Sequence, residues 1–334
     1  MNFFRLSLKY CLVSSCIFYL SCSTEVELES ADEVFPVVYG IINPTDTAHY
    51  LRIERVFKTQ GGDAEQLAQD FENLYYPLED IAVKLEKDNG LEAVLVRVDG
   101  NNEGFVRQDG PFANTPNYLY KVKANDFRTS AGERVTLTIS LEEGSQTVSA
   151  QTLIVGDLAV SNTSPASSVN MGYERTIRTS WTSDEAAAIF DLSWLINYRE
   201  RAVGGEWTTK QLRWTIANRI ENLDGVVQQT ETFRGEEFYQ FLATQIETRA
   251  DVEREFVDIE VEVIALGSEF EEIALLNAAN VGITSSQVDL TFSNIDGGIG
   301  VFSSRTSANR EGINLSTISL DSLRDGIYTS DLNF

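Results

Sequence analysis

Apolar and charged residues alternate one for one along several stretches of this chain, and a period of two confines such stretches to half-buried β-strands. Val257, Ile259, Val261 and Val263 interleave with Asp258, Glu260 and Glu262. Phe190, Leu192, Trp194, Ile196 and Tyr198 recur at the same spacing and predict a heavier core strand, so Trp194, like Trp181, is expected inside. Val135, Leu137, Ile139 and Leu141 form another, which meets Val148 and Ala150 across the hairpin signal Glu142-Glu143-Gly144-Ser145. Further strands are predicted over 35–42, 50–57, 81–87, 91–98, 118–124 and 211–220.

Helical spacing is rarer. Ala64, Leu67, Ala68, Phe71, Leu74 and Tyr75 fit one helix, with Asp63 and Gln66 at its start and Pro77 at its end. Weaker candidates cover 238–246 and 271–279. Too few helices separate the strands for a parallel βαβ fold, and the close strand spacing favours antiparallel sandwiches. The expectation is a mainly β chain of two antiparallel β-sandwich domains with a few decorating helices. The stretch SNTSPASSVNMG is small, polar and interrupted by Pro165, so 157–172 reads as a linker between domains at 34–156 and 173–305. Residues 306–334 are polar and are expected to be loosely held.

The first residues, MNFFRLSLKYCLVSSCIFYLSC, read as a lipoprotein export signal. Arg5 and Lys9 give the positive front, 10–20 is an apolar run too short to span a bilayer, and Ser21 precedes Cys22. The prediction is a signal peptide at 1–21, acyl chains on Cys22 and an acidic tether at 22–33. Processing at Cys16 instead would leave Ile17-Phe18-Tyr19-Leu20 on the mature chain, which disfavours it. All three cysteines lie in or at the end of this segment, so the body has no thiol for a disulfide, a thiolate metal site or a nucleophile. His49 is the only histidine, which removes most triad and zinc-enzyme templates. Without Arg5 and Lys9 the net charge of −25 becomes −27, unfavourable for nucleic acid and for anionic lipid head groups.

The segments PVVYGIINPTDTAHYLRIERVF, DFENLYYPLEDIAVKLE and FSNIDGGIGVFSSR together resemble uncharacterised Bacteroidota outer-membrane lipoproteins of the domain-of-unknown-function type, often found beside TonB-dependent transporters. The resemblance runs from Phe35 to Arg305. It implies an Ig-like N-terminal β-domain, a second β-rich domain and a place at the cell surface, lipid-anchored in the outer membrane. Together with the lipid anchor, the β-sandwich pattern and the missing catalytic residues, it leads to an outer-membrane β-barrel protein, such as a TonB-dependent transporter, as the expected partner. It names no substrate, no cofactor and no functional residue beyond Cys22.

No catalytic set stands out. Acid pairs such as Glu142-Glu143 and Glu236-Glu237 are expected by chance among 51 acids. Asp99-Gly100-Asn101-Asn102-Glu103-Gly104 begins like a calcium loop, but Gly110 stands where a bidentate Glu is needed, so it reads as a turn. Gly297-Gly298-Ile299-Gly300 lacks the following Lys and reads as a turn or close backbone packing. His49 reads as a solvent-facing or hydrogen-bonded structural histidine. Asp46-Thr47-Ala48 and Asp321-Ser322-Leu323 fit a short O-glycosylation pattern, making Thr47 and Ser322 candidate acceptors. Tyr75, Tyr76 and Trp207 are candidate contacts for a ligand or partner, since exposed aromatics stack on sugars and anchor interfaces. The expected role is therefore a non-enzymatic recognition or accessory subunit. The rivals are a glycan-binding surface protein, marked by exposed aromatics with Asp, Asn or Arg around them, and a carboxylate-based hydrolase, which needs two acids facing across a cleft.

Overall fold

A computed structural model describes residues 34–57, 68–163, 168–222, 227–271 and 292–334. The strands in chain order are β1 (Val34–Ile42), β2 (Ala48–Phe57), β3 (Ile81–Lys87), β4 (Glu92–Val94), β5 (Val96–Asp99), β6 (Tyr118–Lys123), β7 (Arg134–Leu141) and β8 (Gln146–Leu153). They continue with β9 (Ala159–Thr163), β10 (Ser168–Val169), β11 (Thr176–Thr182), β12 (Ile189–Ala202), β13 (Thr208–Glu221), β14 (Gln228–Arg234), β15 (Val252–Leu266) and β16 (Ile299–Leu315). Among the described residues three α-helices join them: α1 (Phe71–Leu74), α2 (Gly235–Gln245) and α3 (Thr317–Asp325). The fold is mainly β, of sandwich type.

One long sheet runs through the molecule in the order β13-β12-β15-β16-β1-β2-β6-β5. Two smaller sheets, β4-β3-β7-β8 and β14-β11-β9, lie over its inner face. The alternation seen in the sequence decides which side chains point inward. Val38, Ile42, Leu51, Ile53 and Val122 of the long sheet meet Val83, Leu85, Leu137, Ile139 and Val148 in one core. Leu192, Trp194, Ile196, Ile259, Val261 and Val263 meet Ile177, Trp181, Phe233 and the α2 residues Phe238, Tyr239 and Leu242 in the other. Trp181 and Trp194 are fully buried, as predicted.

The strand β16 belongs to both halves. It pairs antiparallel with β15 and parallel with β1, in register Val38↔Gly300 and Gly40↔Phe302. Ile295 and Phe302, near the C-terminal end of the sequence, therefore sit in the first core. Gly300 permits the approach: its φ of +123° is closed to other residues, and a Cβ there would stand 2.0 Å from the Val38 carbonyl oxygen. The Gly-rich run is thus a turn, with Gly297 at φ +76°, followed by close backbone packing.

Several expectations are corrected. The stretch 157–172 carries β9 and β10, and Val169 and Met171 reach the second core, so apolar residues within the polar run tie it down. Residues 306–334 are well held: they complete β16, form α3 and bury Ile313, Leu315, Leu323 and Leu332. The predicted strand 91–98 breaks at Leu95, which turns inward and donates its N–H to the Val83 carbonyl, so β4 and β5 go to different sheets. The predicted helix over 64–75 is interrupted: Asp70 accepts from the Glu72 N–H and caps the short α1, while Asp63 and Gln66 lie outside the described residues, as do 272–279 of the third helix.

Candidate functional site

The outer face of the long sheet differs in character from end to end. Over β13, β12 and β15 it is a polar ladder. Arg213 pairs with Glu262, Asn197 donates to Asp258 at 2.8 Å, Gln211 to Asn197 at 2.9 Å, and Asn309 to Glu260 at 2.6 Å. Over β16, β1, β2, β6 and β5 the matching positions bring in apolar residues, Ile299 and Val301, then Phe35, Val37, Tyr39 and Ile41, then Tyr50 and Val56, then Leu119, then Val96, which are interspersed with Arg305, Arg52, Glu54, Lys121 and Lys123. Phe35, Tyr39, Ile41, Val56, Val96 and Ile299 remain exposed. Exposed apolar surface gathered on one face marks contact with something other than water.

A cleft of about 360 Å³ opens in this face, lined by Ile41, Ala48 and Leu119 and by the rings of Tyr39, Tyr50 and Phe105. Two of the rings, Tyr50 and Phe105, are held in place. Phe105 packs on Tyr50 at a centroid distance of 4.7 Å. The Tyr50 hydroxyl donates to Glu103 Oε2 at 2.9 Å, which also binds Lys121 Nζ at 2.5 Å, and Lys121 lies 5.4 Å over the Tyr50 ring. That pairing lowers the Glu103 carboxyl and raises the Lys121 ammonium.

Three polar side chains reach the cleft from its rim: Arg52, Asp46 and Arg305. Arg52 Nη1 binds Glu54 Oε1 at 2.9 Å. The same oxygen takes Arg107 Nη1 at 2.6 Å, and Arg107 also donates to the Tyr75 hydroxyl at 3.2 Å. One carboxylate thus serves two guanidinium groups, leaving a net positive charge beside the rings. Asp46 accepts from the Asn43 amide with one oxygen only. Arg305 is exposed and has no ion pair or hydrogen bond among the described residues.

A family model described as a domain of unknown function, DUF4249, matches residues 23–311. The chain belongs to the DUF4249 family. No curated protein matches it. The family is one of unknown function, in line with the resemblance read from the segments at 36–57, 70–86 and 292–305.

Most of the DUF4249 chain's predicted site residues lie away from the cleft. Tyr75 and Tyr76 are buried rather than offered to a ligand, because α1 is a single turn and folds the chain back before Pro77. Tyr75 packs edge-on against Tyr118, and Tyr76 joins the first core beneath the Arg55 guanidinium. Burial pushes the Tyr75 hydroxyl up, and the Tyr76 hydroxyl up to about 12. Trp207 is half-buried and carries Arg199 and Arg201 on its ring at 4.9 and 4.4 Å, so its face is already covered. Thr47 is exposed in the β1–β2 turn at the cleft rim. Ser322 sits within α3, its hydroxyl donating to the Ile318 carbonyl at 3.0 Å, a poor posture for an acceptor. Cys22 lies outside the described residues.

The motifs set aside in the sequence have structural uses. Asp99 caps a short turn by accepting from Asn101 and Asn117 N–H groups, which occupies the oxygen a cation would need. Glu142 and Glu143 take positive φ in the hairpin turn. Glu237 caps the start of α2, and Glu236 accepts from Tyr328. Among the described residues no three His, Cys, Asp or Glu side chains are placed to hold a metal ion. The cleft residues Tyr39, Tyr50 and Phe105 were missed. Their one signal is the unbroken apolar run at 37–42, which fits a strand with two apolar faces rather than one.

His49 departs from its expected place. It lies on the inner face of β2, 2% exposed, on the side opposite Ala48 and Tyr50, and among the described residues neither ring nitrogen makes a hydrogen bond of normal geometry, the Phe127 main chain giving only a weak contact. Burial lowers its pKa below 6.5, opposed more weakly by the Phe127 main chain and the Asp46 carboxylate. The folded state therefore holds fewer protons than the unfolded one as pH falls below 6.5, and stability declines there. Urea unfolding at pH 7.5, 6.5 and 5.5 is expected to show this loss, at most about 1.4 kcal/mol per pH unit. His49→Leu should flatten that part of the profile.

Proposed function

We propose that this DUF4249 chain is a lipid-anchored protein of a Bacteroidota outer membrane, exposed at the cell surface, that acts as a non-enzymatic recognition subunit of a β-barrel complex such as a TonB-dependent transporter. One observation carries the reading: the outer face of a single sheet is a polar ladder over one half, while over the other Phe35, Tyr39, Ile41, Val56, Val96 and Ile299 stand exposed among the ion pairs of Glu54 and Glu103. Solvent alone does not call for that division, because an antiparallel sheet facing water on one side carries polar residues there. The signal-like segment ending at Cys22 supports the anchor, and the acidic tether lets the body reach a neighbour.

The contact assigned to the barrel partner is the patch formed by Phe35, Val56 and Ile299, around the buried Val37. Isolation of the native protein in mild detergent should recover a barrel protein with it. Val56→Asp and Ile299→Asp together should release that protein, at a stability cost within about 1 kcal/mol because both sites are exposed. Recovery of the wild-type chain alone would overturn the assignment.

A second reading, glycan binding, is favoured by the cleft itself. Tyr39, Tyr50 and Phe105 line it together with two arginines and an aspartate, the combination that sugar recognition uses.

A further inference from the structure

We infer that the cleft between Tyr39 and Phe105 binds a carboxylate-bearing sugar ring, of the hexuronate class, with Arg305 pairing the carboxylate. The inference rests on the glycan reading and supplies the ligand's charge. A volume of about 360 Å³ admits one or two pyranose rings. Tyr39 is 54% and Phe105 48% exposed, so both rings are accessible to whatever enters. Aromatic faces take the C–H side of a sugar, and Tyr50 is fixed behind them by Phe105, Glu103 and Lys121.

The charge argument is stronger. The chain carries a net −25, and most of its basic side chains near the cleft are already matched with acids. Arg305 lines the cleft itself, and its side chain has no ion pair or hydrogen bond among the described residues. A planar guanidinium matches a carboxylate through two parallel N–H···O bonds. Arg52 adds a second donor, since only Nη1 is used by Glu54, and that bond fixes its orientation. The remaining oxygen of Asp46 accepts from a sugar hydroxyl, which a simple fatty or aromatic acid would not offer. A neutral sugar would leave Arg305 unmatched.

The test is calorimetric titration of the full chain in mild detergent, without a barrel partner, using a galacturonic acid trimer. A galactose trimer and the acidic peptide Glu-Tyr-Glu are the comparators. The uronate is expected to bind, the neutral trimer about tenfold or more weakly, as the loss of a charged hydrogen bond implies. Arg305→Gln should remove that preference, Arg305→Lys should keep part of it, and Tyr39→Ala should weaken both sugars. Circular dichroism checks that these exposed substitutions leave the fold intact. Equal binding of the two trimers, silence toward both, or binding of the peptide in place of the uronate would each overturn the proposal. None of these results bears on the barrel contact, which is read at Val56 and Ile299.

Discussion

Gly300→Ala is expected to cost upwards of about 4 kcal/mol and to leave little folded protein, the largest single-residue effect we anticipate. The residue sits where two halves of the chain share one sheet. Its φ of +123° is disfavoured for any side chain, and the new methyl carbon would lie 2.0 Å from the Val38 carbonyl oxygen and 3.0 Å from the Val38 nitrogen. Those are main-chain atoms paired across the β1–β16 ladder, so neither can move without breaking the parallel register. Separation of the strands would expose Phe302 and Val38 and remove Val301 and Arg305 from beside Tyr39. Urea unfolding and expression yield give the readout. Gly312→Ala is the comparison: it also has positive φ, at +72°, but its Cβ would meet nothing within 4 Å. It should cost only about 1–2 kcal/mol, the backbone price of a left-handed residue. Similar losses at the two positions would mean that the β1–β16 contact is not tight.

Arg254→Met is expected to cost about 3–5 kcal/mol, the range for removing one member of a buried charged network. Arg254 is 4% exposed and ties together three other segments, two of them distant in sequence. It donates to the Leu332 carbonyl at 2.6 Å, to the Glu247 carbonyl at 3.0 Å and to Glu200 Oε2 at 3.2 Å, while its own N–H reaches the Asn333 carbonyl at 2.8 Å. Methionine keeps the volume and forfeits all three side-chain bonds, leaving two carbonyls and an acid without their donor. Hydrogen exchange should rise first in the last turn, around Thr329–Phe334, together with a lower urea midpoint. Arg324→Met provides the contrast. Its ion pair with Asp321 spans 3.8 Å at the surface, and its loss should change stability by less than about 1 kcal/mol.

These two residues also mark where the sequence stops being legible. Period-two patterning located β3, β7, β12 and β15 well, because each has one wet face and one dry face that the residue types record. It could not pair β1 with β16. Their register is set by close approach at Gly300, and nothing local to either strand names the other. The C-terminal residues looked loose because β16 is rich in Ser, Thr, Asn and Arg, yet much of that polarity is absorbed in pairing and in the outer ladder. Beside the burial of Leu323 and Leu332, Arg254 helps to hold the tail from 78 residues away, through its bond to the Leu332 carbonyl.

The aromatic residues show the same limit. Tyr75 and Tyr76 looked available because they follow a helix, but the helix is one turn and both rings fold under it. Tyr39, Tyr50 and Phe105 drew no notice because they come from β1, β2 and a loop before β6, and only the folded sheet sets them around Ile41 and Leu119. His49 was equally opaque. One position from Tyr50, it faces the opposite side of β2, as alternate strand residues must.

The account turns on the apolar half of the outer face being the surface that meets other molecules. Site-specific photocrosslinking in living cells addresses it directly, with the photoreactive residue placed at Val56 on the apolar half or at Gln211 on the polar ladder. The account predicts a covalent product with a membrane-embedded β-barrel protein from position 56 and none from position 211. Equal products from both, or a product from position 211 alone, would contradict it.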